Sequence, residues 1–141
     1  MPKRGERLSG DSGSERIFDP EGGGQPSDLG ILGDTAVTDV QEKNGELIHY
    51  VKSELEPGTE VIGKIDWQRR FDLMQQHSGE HIVSGLVHEA YGYNNVGFHM
   101  SSDVITIDFS GVLDEKQLAE IEEKTNRNIW EDNPVETFLS G

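Results

Sequence analysis

The sequence predicts an α+β fold: a partial antiparallel β-barrel, then a long motif-bearing helix packed on an antiparallel sheet with a second helix. Three observations carry this. Short apolar runs between Arg16 and Ile65 are punctuated by Asn44-Gly45 and Pro57-Gly58, both strong turn signals. After Asp66 the apolar residues Phe71, Met74, Ile82, Leu86 and Val87 recur at roughly helical spacing up to Gly92. Val104 to Phe109 then alternates strictly, with Ile105, Ile107 and Phe109 on one side.

Taken in order, residues 1–14 (MPKRGERLSGDSGS) mix charge, Gly and Ser without periodicity and are expected to be a disordered leader or an expression remnant. Residues 15–65 form the expected β domain. Ala36 to Val40 is a first strand, Lys43-Asn44-Gly45 a hairpin turn that tolerates positive φ, and Leu47 to Val51 the returning strand. Pro57-Gly58 makes a second turn and Glu60 to Ile65 a third strand. Residues 66–141 form the second expected domain. Asp66 can cap a helix from Trp67 to about Glu89, because its carboxylate accepts the free N–H groups of the first turn. Strands Val96 to Met100 and Val104 to Phe109 follow, then a helix capped by Asp114 and running to about Trp130. Pro134 to Leu139 reads as one further strand, whose unpaired edge would favour a homodimer.

Composition narrows the function. The chain has 141 residues, enough for one ordinary domain or two small ones, and is 33% hydrophobic. Its formal net charge of -15 normally repels nucleic acid, so any polyanion would have to meet a local concentration of the few basic residues. There is no cysteine, hence no disulfide and no thiolate nucleophile or ligand. No apolar run suits a membrane span or a signal-peptide core, and the cytoplasm is the expected compartment.

Chemistry concentrates in His77-Ser-Gly-Glu-His81. On a helix turning about 100° and rising about 1.5 Å per residue, His77 and His81 share a face about 6 Å apart, which suits two imidazoles on one ion. His88 lies about 16 Å from His77 along the axis, too far to join them. The spacing alone equally describes two polar residues on one side of an amphipathic helix. HSGEH also satisfies the HxxEH pattern of some metalloproteases, in which the glutamate would activate a metal-bound water, but that reading needs a third acidic ligand far downstream. Glu80 is expected at the surface. A second segment, Asp19 to Gly30 (DPEGGGQPSDLG), is dense in turn formers, and its three consecutive glycines let a backbone pass close to a ligand or simply form a flexible loop. Arg69 and Arg70, beside the motif helix, could touch phosphate or be its solvated start.

Together, FDPEGGGQPSDLG, HSGEHIVSGL and VGFHMSSDVITIDFSG resemble the AlaX-type alanyl-tRNA editing proteins and the editing domain of alanyl-tRNA synthetase. The resemblance runs from about Arg16 to Phe138. It implies an enzyme acting in trans on tRNA, hydrolysing the ester of serine or glycine misattached to alanine tRNA, with the second domain as the editing core. It makes His77 and His81 zinc ligands, Gln25 and His99 catalytic, and Gly23, Gly24 and Gln25 the border of the substrate pocket, with Arg69 and Arg70 available to the tRNA. The family completes its zinc site with a downstream Cys-x-x-x-His pair, and with no cysteine here neither of those ligands is carried over. The expectation is therefore a fragment of a longer editing protein; the alternative is a non-catalytic tRNA-binding or protein-interaction module.

Overall fold

Local chemistry accounts for most of the boundaries. In the computed structural model, which describes residues 17–139, the elements are β1 (Gly30–Leu32), β2 (Thr35–Lys43), β3 (Glu46–Val51), β4 (Gly63–Ile65), α1 (Trp67–Tyr91), β5 (Asn95–Met100), β6 (Ile105–Phe109) and α2 (Glu115–Trp130). The leader expected over residues 1–14 lies outside the described residues. The described chain falls into two compact units, one of residues up to Gln75 with His99–Ile105, the other of Gln76–Phe98 with residues from Thr106 onward. Helix α1 is continuous through Gln75 and Gln76. The fold is thus α+β, with antiparallel sheet and two helices.

In the first unit four strands form an open antiparallel sheet of order β3-β2-β1-β4. Among the described residues it closes into no barrel. The β2–β3 hairpin turns at Asn44 and Gly45, whose φ angles of 53° and 78° suit the two-residue turn their sequence calls for. The register of β2 against β3 shifts between Val37 and Asp39. That irregularity lets Val37 and Val40, three apart and therefore of opposite parity, both turn inward. They join Phe18 in the core, against Leu32, Leu47, Val51 and Ile65.

Two expectations change here. The third strand is shorter than Glu60 to Ile65, and the sheet has a strand the pattern did not single out, β1, lying between β2 and β4. Gly30 explains why a three-residue strand can sit there. A Cβ on it would come within 2.1 Å of the Lys64 carbonyl oxygen, so only glycine lets the two backbones approach.

His49 on β3 meets Phe18 edge-on, with ring centroids 5.5 Å apart at 89°. Burial lowers its pKa below the ordinary 6.5. The unfolded chain therefore binds a proton here more readily than the folded one, so His49's contribution to stability is full above about pH 6.5 and declines as the pH falls toward its folded-state value. Urea midpoints should drop across that window, and His49→Leu should remove this part of the slope; an unchanged slope would place the titrating group elsewhere.

Strand β6 keeps the expected alternation, with Ile105, Ile107 and Phe109 half-buried and the residues between them exposed. Both helices begin at their predicted caps. The Asp66 carboxylate accepts from Arg69 N–H at 3.1 Å. Asp114 and Gln117 form a reciprocal capping box at 2.8 and 2.9 Å. Asp114→Ala should cost about 1 kcal/mol in thermal or denaturant unfolding, and Asp114→Asn far less. Residues 134–139 form no strand, in contrast to the sequence expectation. Val135, Phe138 and Leu139 are exposed there without ladder partners, so the edge expected to favour a homodimer is absent.

Candidate metal centre

The histidine pair straddles the middle of α1, where the i, i+4 spacing brings both imidazoles to one side. Their rings stack at 5.0 Å between centroids and 16° between planes. Phe98 of β5 stacks on His77 at 5.4 Å, which restricts how that ring can turn. His81 projects outward, with its side chain 74% exposed.

Glu80 is not at the surface, as expected from its charge, but 6% exposed. It shares its helix stripe with Val87, seven residues on, the other buried residue of α1. Its Oε1 accepts from the Ser84 hydroxyl at 2.5 Å and from the Asn95 side-chain amide at 2.6 Å. Its Oε2 stands 3.7 Å from His81 Nδ1. Ligand atoms of His77, Glu80 and His81 all lie within 4.8 Å of one another, the one such trio among the described residues. Two imidazoles and a carboxylate oxygen are a donor set that zinc accepts, so the residues fit a divalent metal of that class. The protease pattern fits less well. Its glutamate would have to present an oxygen to a water in an open cleft, whereas this carboxylate is buried and its remaining oxygen faces His81.

The glycine segment belongs to the other unit, and it is a built turn rather than a loose loop. Gly22 and Gln25 exchange backbone hydrogen bonds at 3.1 and 3.0 Å, and between them Gly23 and Gly24 take φ of 60° and 83°, the two-residue turn that excludes most other residues. Beyond it lies an ion-pair anchor that pattern reading missed. Asp28, 3% exposed, receives Arg70 Nε at 3.1 and 2.9 Å on its two oxygens and the Asp19 backbone N–H at 2.8 Å, and Arg70 Nη2 also bonds it. Arg70 further reaches the Ile17 carbonyl at 2.8 Å and Asp19 at 3.3 Å. Hydrogen bonding to Asp28 raises the guanidinium pKa above its ordinary value. Arg69 donates to the Ser27 carbonyl at 3.3 Å. Both arginines that the sequence offered to phosphate are thus engaged with the glycine segment. Sequence spacing gave no sign of this, since the partners are 42 residues apart.

His99, next to Phe98 on β5, is exposed, and strand alternation sets it on the opposite face of that strand.

No family profile matches the chain. Individual proteins do. It is 42% identical over 127 residues to "Alanyl-tRNA editing protein Aarsd1-A" of Xenopus laevis, covering 89% of this chain and 31% of that protein. "Alanyl-tRNA editing protein AlaX-L" of Pyrococcus horikoshii is 36% identical over 126 residues, 84% of this chain and 31% of its own length. Over these residues the chain is similar to the alanyl-tRNA editing proteins. An "Alanine--tRNA ligase" of Pyrobaculum neutrophilum is 35% identical over 130 residues, 86% of this chain but only 15% of the ligase. The chain spans about a third of the length of the editing proteins it matches. None of its described helices is long and apolar enough to cross a membrane.

Proposed function

We propose that this chain supplies the metal-binding part of a trans-editing deacylase, which hydrolyses the aminoacyl ester of serine or glycine misattached to alanine tRNA in the cytoplasm. The observation that carries the reading is the stacked His77–His81 pair beside a buried carboxylate, in a chain similar to alanyl-tRNA editing proteins. His77 and His81 would hold the ion, zinc by its donor set. When bound, zinc would supply a Lewis acid for an ester carbonyl and a water, enough for a bond that is already labile. The residues' own contribution is positional: Phe98 limits rotation of His77, and Ser84 and Asn95 pin Glu80. Gly23, Gly24 and Gln25 carry the substrate-binding part of the proposal, as a pre-shaped turn, and His99 remains a catalytic candidate. Arg69 and Arg70 serve in this reading by holding the glycine segment rather than by touching phosphate. The open sheet would be one part of a barrel.

The test is deacylation. The purified chain is incubated with seryl- and glycyl-tRNA for alanine, with correctly charged alanyl-tRNA as reference. Release of serine or glycine that a chelator suppresses supports the reading. Association with tRNA that ignores chelator, with no ester cleavage, overturns it in favour of a binding module.

A further inference from the structure

Glu80 is the one buried charged side chain of α1, and the chemistry proposed above does not use it directly. Its surroundings assign it a task. Asn95 receives the Gly97 N–H on Oδ1 at 3.0 Å, which sets the orientation of its amide and leaves Nδ2 to donate to Glu80 Oε1 and, at 3.1 Å, to Ser84 Oγ. Ser84 donates its own proton to the same Oε1. Both bonds are short, 2.5 and 2.6 Å. One carboxylate oxygen is therefore fully committed between α1 and β5, and the other is left facing His81 Nδ1 at 3.7 Å.

We propose that Glu80 is a positioning residue that sets the tautomer of His81. An ionised carboxylate only accepts hydrogen bonds, so an oxygen facing Nδ1 favours the proton on that nitrogen and leaves the lone pair on Nε2. A free imidazole in water prefers the reverse. The lone pair is then on the ring's outer edge, on the side chain that projects into solvent, where an ion can be reached. The ring of His77 stacks on Phe98. This inference rests on the metal-centre reading for its purpose, but the tautomer is a property of the metal-free chain.

The experiment reads the two separately. Nitrogen chemical shifts of the histidine rings are recorded in the metal-free chain at about pH 8, where an unperturbed imidazole is neutral. His81 should carry its proton on Nδ1, while His88, exposed on the same helix, reports the ordinary solution preference. Glu80→Gln keeps a carbonyl oxygen for Ser84 and Asn95 but turns an N–H toward His81, and the Nδ1 form should be lost. Zinc affinity, by competition with a chromophoric chelator, should fall about 10–100-fold. A wild-type His81 no different from His88, or a tautomer unmoved in Glu80→Gln, overturns the proposal. A tautomer that switches in a chain that binds no zinc upholds the positioning role and removes the metal-centre reading instead. Should Glu80→Gln fail to fold, Asn95→Ala leaves the carboxylate but unpins it, and a partial loss of the Nδ1 form is expected; none would overturn the proposal.

Discussion

His77→Ala is expected to strip the chain of its metal. Elemental analysis of the purified wild-type chain should find about one zinc, and the variant essentially none, because loss of one imidazole of the pair leaves a single histidine to hold the ion. The loss should exceed the roughly 10–100-fold that removal of an outer hydrogen-bond partner costs. Deacylation should disappear with it. Alanine also removes the ring that stacks on Phe98, so a packing defect has to be separated from a lost ligand. His77→Phe does this: it keeps an aromatic ring against Phe98 and still has no nitrogen to offer. Equal loss of zinc in both variants supports ligation, whereas retention of zinc in either removes His77 from the site.

Arg70→Ala is expected to destabilise the first unit by about 3–5 kcal/mol, the cost of leaving a buried charge without its partner. Asp28 is 3% exposed and would keep the Asp19 N–H but lose its guanidinium. The Ile17 carbonyl would lose its donor as well. If an uncompensated charge is the cause, Arg70→Met with Asp28→Asn should recover much of the loss, since neither retained group is then charged. Denaturant midpoints for the two single variants and the double measure this coupling. Strict additivity of the two losses would mean that the pair contributes little beyond its separate packing.

Sequence reading was strongest where structure is decided within a few residues. Asp66 and Asp114 start their helices as predicted because an N-cap needs only the backbone N–H groups of the following turn. Asn44-Gly45 and the alternation of β6 are local in the same sense. Strand β1 was hidden because a three-residue run containing Gly30 has no intrinsic preference for extended structure; its place comes from partners at Val37 and Ile65. Pro134 to Leu139 shows the converse, a β-like composition with nothing to pair with. The i, i+4 spacing of the histidines set both rings on one helix face, where they stack, but did not by itself distinguish a metal pair from two polar residues. Glu80 was not legible, because a charged helical residue is normally solvated; its seven-residue offset from Val87 was the available signal, and Asn95, its partner in β5, could be known only from the fold. Arg70 and Asp28 were each visible, but a partnership across 42 residues has no pattern in a linear text.

The turn at Gly22 to Gln25 has a kinetic meaning. Its two backbone hydrogen bonds are made before any ligand arrives, and the chain on either side is tied down, by Glu21 N–H to the Val40 carbonyl at 3.1 Å and by the Arg70 clamp on Asp28. A loop that had to condense around its ligand would spend part of the interaction on its own loss of freedom and would slow the encounter. A turn already in shape does neither, so, if it borders the substrate as proposed, choice among ligands would fall to how long each stays rather than how fast it arrives.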